Sequence, residues 1–372
     1  MVIFGAGKIG RSFIGQIFSR SGYDVVFIDI NLKLIDNLNK VRQYKVIIKS
    51  VDGDKTITVA NVRGIHLYEN EKVIYELASA SIAALSVGQQ GLPAALPLIA
   101  RSLILRKQHH CQLPLDIIIA ENMRNADNYI YEELSRLLPA DFPLQTIVGL
   151  VETSIGKMVP IMTQKDLEED PLQVFVEPYN TLIVAKNGFR NAIPEVAELA
   201  PKENIKAWVD RKLFIHNLGH AAAAYLGFQK NPQWIFIYEA LGNTEIFMTV
   251  RQTMLQSADI LMGLYQGEFT KRQLEDHIND LLERFQNKAL GDTIFRVGCD
   301  IYRKLSPEDR LVAPIIAAKR INKPYDLIFE VLQAAISFKA TDENGNYFPS
   351  DKKFFKEAEK GVEHVLENIC KL

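Results

Sequence analysis

The sequence predicts an α/β domain with a doubly wound parallel sheet, followed by an all-α domain. Three observations carry this. In the first half, short runs that are apolar on both faces alternate with helical patterns, the mark of a parallel sheet covered on both sides. A G-x-G-x-x-G pattern sits between the first strand and the first helix. After about Asn191 the strand signal fades and helical periodicity takes over.

The elements follow in order. VIF at 2–4 reads as a strand, and a helix follows over about residues 8–19. VVFIDI at 25–30 is the second strand, with a polar helix behind it. Residues 44–62, YKVIIKSVDGDKTITVANV, alternate on either side of Asp52-Gly53 and read as a hairpin. ASIAALSVG at 80–88, LDIIIAEN at 115–122 and LQTIVGLVE at 144–152 are continuous apolar strands. LQVFVEPYNTLIVAKN at 172–187 reads as a further strand pair. Segments 204–226, 243–265, 269–286, 307–321, 325–338 and 351–370 read as helices, and Pro201, Pro232, Pro307, Pro314 and Pro324 fall mostly near segment starts. The expected domains are 1–190, Rossmann-type and dinucleotide-binding, and 191–372, all-α and carrying the substrate chemistry.

Composition narrows the function classes. The chain has 372 residues, 48% apolar and 24% charged, the profile of a globular protein with sizeable cores. A formal net charge of −2 gives no reason to expect a nucleic-acid partner. No apolar run reaches the roughly 18–20 residues of a membrane span, so no membrane association is expected. The first apolar residues lead straight into the glycine motif, so no secretory leader is expected. Cys111, Cys299 and Cys370 lie far apart without metal-ligand spacing, which suits a reducing cytoplasm.

The stretch VIFGAGKIG places Gly5, Ala6, Gly7, Lys8, Ile9 and Gly10 where a dinucleotide pyrophosphate would lie against a helix N-terminus. Gly5 permits the tight turn, Gly7 the close approach of backbone to phosphate, and Gly10 the packing of helix on strand. The second strand ends in Asp29, 19 residues beyond Gly10, where a carboxylate would bind the adenosine ribose hydroxyls. Asp29 would repel a 2′-phosphate, and Ile30, Asn31 and Leu32 supply no cation, so NAD is the expected cofactor rather than NADP. Ser86, Val87 and Gly88 close another strand at its C-terminal end, where they either pass near the nicotinamide half or form an ordinary strand-to-helix turn.

In the second half, KLFIHNLGH at 212–220 sets Lys212, Asn217 and His220 among apolar neighbours. Hydride chemistry on an alcohol needs a base, and Lys212 serves only if burial or a neighbouring cation lowers its pKa from about 10.4. Asn217 could donate to a developing alkoxide, and His220 could hold a second hydroxyl. On an ideal helix Asn217 and His220 share a face, but Lys212 lies about 140° from Asn217. The three converge only if the substrate sits at the helix start or the backbone there is irregular. The alternatives are a solvated lysine and a metal pair of His216 and His220, the latter lacking the acid of an H-E-x-x-H motif.

KLFIHNLGHAAAAYLG resembles the signature of the polyol-specific long-chain dehydrogenases, K-x-x-x-x-N-x-x-H followed by A-x-x-Y-x-G, matched at Lys212, Asn217, Gly219, His220, Ala224, Tyr225 and Gly227. AENMRNAD at 120–127 resembles that family's acid-Asn segment. Residues 284–314 resemble the C-terminal stretch of its mannitol-1-phosphate 5-dehydrogenase branch, which the chain length also suits. The resemblance implies NAD-dependent interconversion of mannitol 1-phosphate and fructose 6-phosphate without a metal; an unphosphorylated polyol or sugar acid and a silent NAD-binding regulator are the rivals. It implies Lys212 as general base, Asn217 and Asn122 as the oxyanion site, and His220 as the substrate-positioning group. Arg303, with Lys304 and Arg310, would grip hydroxyls or a phosphate, or else form salt bridges within the helical domain. The chain departs from the family where relatives carry V-D-R-I-V-P and it carries Ile155 to Pro160, and at Ala120, where many relatives have cysteine.

Overall fold

The computed structural model describes residues 1–109, 113–160 and 162–372, so Cys111 lies outside the described residues. The chain forms two compact units, Met1–Trp208 and Val209–Leu372.

The first unit holds eleven strands among its described residues: β1 (Val2–Phe4), β2 (Val25–Asp29), β3 (Gln43–Ile48), β4 (Lys55–Ala60), β5 (Val62–His66), β6 (Ile82–Leu85), β7 (Leu115–Ile119), β8 (Val148–Ser154), β9 (Val174–Val176), β10 (Leu182–Ala185) and β11 (Leu199–Lys202). The large sheet runs β11-β10-β8-β7-β6-β1-β2-β5. Its six strands from β8 to β5 are all parallel and have the order of a dinucleotide-binding sheet, with the chain reversing direction across the sheet between β1 and β6.

Both faces of this sheet are buried, which is why its strands are continuously apolar. Val2, Phe4, Ile117 and Ile119 enter the core beneath the helices Asn70–Ser79, Leu92–Gln108 and Ala126–Leu137. Their neighbours Ile3 and Ile118 point the other way. That second face is covered by the helical stretch 10–20 and by a small three-stranded sheet, whose Tyr44, Val46, Val59, Val174 and Val176 complete the core.

The hairpin forms as its alternation predicts: β3 and β4 pair antiparallel from Gln43↔Ala60 to Ile48↔Lys55, and Gly53 in the turn has φ +105°. The strands at 172–187 exist but do not pair with each other. β9 joins β3 in the small sheet, while β10 lies antiparallel on β8 and makes the large sheet mixed. Apolar periodicity identifies a strand but not its partner. Residues 144–152 likewise divide into a short helix, Leu144–Ile147, and β8. Parallel to β10 lies β11, a strand beyond Asn191 where helices alone are expected. Lys157, inside the stretch that departs from the family pattern, is buried, and its ammonium donates to Tyr179 O (2.7 Å) and Asn180 Oδ1 (2.7 Å).

The second unit is helical. Its centre is the helix Leu218–Lys230, buried without interruption from Ala221 to Tyr225, whose alanines let neighbouring helices approach closely. The helices Thr244–Leu264, Ile237–Gly242, Ile294–Gly298 and Asp326–Ile336 pack on it. Tyr225, inside the motif, is fully buried and donates its hydroxyl to Gly298 O at 2.9 Å. The helix starts carry their own caps: Asn243 accepts from Ile246 N–H, and Thr270 forms a capping box with Gln273. The short helices at 237–242, 294–298 and 301–304, a turn or so each, are too short to show helical periodicity. Among the described residues no helix is long and apolar enough to cross a membrane.

Candidate active site

Because β1, β2, β6 and β7 are parallel, their C-terminal ends lie along one edge of the first unit's sheet. That edge carries the Gly5–Gly10 loop, Asp29, Ser86–Gly88 and Asn122. Gly5 has φ +95°, and a Cβ there would stand 2.1 Å from Ser86 O. A Cβ at Gly10 would stand 1.9 Å from Gly5 O, whereas one at Gly7 would meet nothing within 4 Å. The loop is therefore tight against its own framework and open at Gly7, a shape that fits a pyrophosphate laid on the helix start. Lys8 and Ile9 form the first residues of that helix.

Asp29 is anchored as well as placed. Its Oδ2 accepts from Ala6 N–H at 2.7 Å and its Oδ1 from Asn31 N–H at 2.9 Å, which ties the end of β2 to the glycine loop. Val87 and Gly88 donate their N–H groups to Glu121 Oε1 at 2.8 and 3.0 Å. Partial burial pushes the Glu121 carboxyl above its usual range, opposed by those two bonds. Asn122, next in the chain, is exposed.

Two further side chains support this edge. Glu121 braces the turn after β6. Arg11, buried in the first turns of the loop helix, donates to Ala6 O at 2.6 Å and to Leu172 O. An arginine directly after the last motif glycine is the only signal, and nothing in its spacing separates a brace from a surface charge.

In the second unit, Lys212 opens a π stretch, Lys212–Asn217, directly before the helix Leu218–Lys230. Leu218 N–H reaches the carbonyl of Leu213, five residues back. The buried Ser257 hydroxyl donates to Phe214 O at 2.7 Å, so that carbonyl, the α-helical partner of Leu218 N–H, is engaged by a side chain. In a π turn the backbone bond closes over i and i+5, so residues five apart become neighbours on the helix surface. The irregular backbone thus narrows the angle between Lys212 and Asn217 from that of an ideal helix, with His220 three residues further on.

Burial, with the Arg310 charge adding and Asp309 opposing, pulls the Lys212 pKa down to about 8. His216 is buried and its pKa is driven well below the usual value by desolvation, reinforced by the Arg284 charge, so it is neutral at physiological pH. The His216 and His220 rings lie 6.3 Å apart. His220 stacks on Phe285, with centroids 4.5 Å apart and planes 6° from parallel, and its Nε2 lies 3.4 Å from Asp292 Oδ2. Among the described residues no three His, Cys, Asp or Glu side chains cluster as a metal site.

The basic cluster divides. Arg303 is half-exposed and donates to Asp300 (2.5 Å) and Asp309 (2.7 Å). Arg310 donates to the other oxygen of Asp309 at 2.8 Å. Asp309 so holds two guanidinium groups side by side, with one of them close enough to act on Lys212. Lys304 turns inward instead. Its buried ammonium donates to Val297 O (2.7 Å) and Cys299 O, the C-terminal carbonyls of the helix Ile294–Gly298, and burial lowers its pKa to about 7. That is a helix-end contact rather than one aimed at a ligand.

Comparison with known proteins agrees with this architecture. The family model described as the mannitol dehydrogenase Rossmann domain matches residues 1–198, and that of the mannitol dehydrogenase C-terminal domain matches residues 204–369. The chain is 33% identical to a mannitol-1-phosphate 5-dehydrogenase of Bacillus velezensis over 371 residues, covering 99% of this chain and 94% of the relative. It is 31% identical to the protein of that name from Buchnera aphidicola, covering 99% and 93%. Among solved structures it resembles Pseudomonas fluorescens mannitol 2-dehydrogenase in ternary complex with NAD and D-mannitol (TM-score 0.79, 16% identity, 99% of this chain and 86% of that one). It also resembles a substrate-free D-sorbitol dehydrogenase (TM-score 0.80, 14% identity, 98% and 87%). The chain belongs to the mannitol dehydrogenase family.

Proposed function

We propose that the protein is an NAD-dependent dehydrogenase that interconverts mannitol 1-phosphate and fructose 6-phosphate. The observation that carries this reading is the near-full-length likeness to mannitol-1-phosphate 5-dehydrogenases, and the π turn at Lys212–Asn217 supports it.

The first unit binds the dinucleotide through the Gly5–Gly10 loop, Asp29 and the turn Ser86–Gly88. NAD, when bound, supplies the acceptor or donor of the hydride. The other steps belong to side chains. Lys212 takes the hydroxyl proton of the polyol on Nζ, and its pKa of about 8 makes the neutral amine available near physiological pH. Asn217, and Asn122 on the strength of the family likeness, donate amide N–H groups to the alkoxide. His220 holds a neighbouring hydroxyl. Arg303 and Arg310 offer N–H groups to the phosphate, while Lys304 serves its helix end.

The test is NADH oxidation with fructose 6-phosphate, fructose, keto sugar acids and other ketoses. Preference for fructose 6-phosphate supports the reading. Equal or better reduction of free fructose transfers it to an unphosphorylated polyol, and no turnover with any of them points to a regulatory NAD-binding protein.

A further inference from the structure

We propose that Asp292 is the positioning residue for His220: it holds a proton on Nε2 and so makes Nδ1 the acceptor that a substrate hydroxyl meets. The inference rests on the reading of His220 as a substrate-holding side chain.

Three relationships lead to it. The ring of His220 lies flat on Phe285, 4.5 Å between centroids and 6° between planes, so its rotation is restricted. Its Nε2 lies 3.4 Å from Asp292 Oδ2. Asp292 is itself held in place. It is 6% exposed, its Oδ1 accepts from Arg296, and its backbone carbonyl accepts from Ile237 N–H at 2.9 Å. The next residue, Thr293, caps the helix Ile294–Gly298 through Arg296 N–H and bridges to Phe236.

The chemistry follows from charge. A buried carboxylate needs donors, and the bond from Arg296 goes to Oδ1. If Nε2 carried a lone pair, it would face the second oxygen across 3.4 Å, negative end to negative end. A proton on Nε2 turns that repulsion into attraction. A neutral imidazole has one N–H and one acceptor, so Nδ1 must then be the acceptor. The contact is longer than an ordinary hydrogen bond and has room to shorten when substrate fills the site. The His216 ring stands 6.3 Å away between centroids, and burial lowers its pKa, so it does not compete for the proton. Without Asp292 the two tautomers would mix, and part of the population would turn an N–H toward the hydroxyl.

The decisive experiment needs no substitution at Asp292. Long-range ¹H–¹⁵N correlation on the intact protein labelled with [¹⁵N]histidine, with His220 assigned by its disappearance in His220→Gln, should show the Nε2–H tautomer. A predominant Nδ1–H tautomer overturns the inference. Kinetics supply the second arm. Asp292→Asn should raise KM for fructose 6-phosphate about tenfold or more with a smaller change in kcat, and should add nothing in a His220→Ala background. Independent, multiplying effects of the two substitutions also overturn it. If His220→Ala alone leaves KM and kcat at parental values, the substrate-holding reading fails, and with it the role given to Nδ1, whereas the tautomer still reports on Asp292.

Discussion

Ser257 Oγ donates to the carbonyl of Phe214 at 2.7 Å, two residues past Lys212, and the helix widens into a π turn there. This bond links the packing of the helical unit to the placement of its lysine. Both partners are buried, so Ser257→Ala strands a carbonyl and should cost about 1–3 kcal/mol in chemical denaturation. If the bond sustains the π turn, kcat should fall as well, because Lys212 would rotate off the Asn217 face. Unchanged kcat with the expected loss of stability would show that the turn persists without it.

The charges around Lys212 predict opposite shifts of one pH profile. Arg310 lowers the lysine pKa and Asp309 raises it. A lowered pKa makes the neutral base available at lower pH, so removing the arginine charge works against it. Arg310→Gln should move the rise of polyol oxidation to higher pH, and Asp309→Asn should move it to lower pH. Shifts in the same direction would mean that the profile reports some other group.

Asp29 predicts cofactor choice. Its carboxylate is fixed by Ala6 and Asn31 N–H groups at the end of β2, where a 2′-phosphate would add like charge. NAD should bind more tightly than NADP by about tenfold or more, a difference of roughly 1.4 kcal/mol. Asp29→Ala should narrow that gap in a fluorescence titration. Equal affinities in the parent would contradict the assignment.

Arg303 is the guanidinium with the most solvent access in the basic cluster. Arg303→Ala should raise KM for fructose 6-phosphate far more than for fructose. Lys304→Met should leave both KM values nearly unchanged while lowering stability, because its ammonium caps the helix Ile294–Gly298.

The proton chemistry proposed for Lys212 calls on no cation, so EDTA should leave turnover intact. Loss of activity that zinc restores would promote His216 and His220 to ligands.

Local chemistry was the legible part of this protein. The loop after β1, the acid at the end of β2 and the Asp52-Gly53 hairpin depend on residues close in sequence, where glycine and alternation speak directly. The partners of β9 and β10 depend on strands far off in the chain, and periodicity carries no partner. Within the site, the sequence names Lys212, Asn217 and His220 but sets Lys212 at a wrong helical angle. The π turn that alters the angle coincides with a bond from Ser257, in another helix. Phe285 and Asp292, which hold the His220 ring, were invisible for the same reason. Lys304 looked like Arg303, its neighbour, until burial separated them.

The central claim is that Lys212 is the base. The pH dependence of mannitol 1-phosphate oxidation, measured for the parent, Lys212→Ala and His220→Ala, tests it most directly. The parent rate should rise with deprotonation of a group near pH 8, the value to which burial and Arg310 bring the lysine. Lys212→Ala should lose about 10² to 10⁴ in turnover, lose that rise and still bind NADH. His220→Ala should keep the rise and weaken substrate binding. If His220→Ala abolishes the pH-dependent step while Lys212→Ala turns over at near-parental rate, the histidine takes the proton and the lysine is structural.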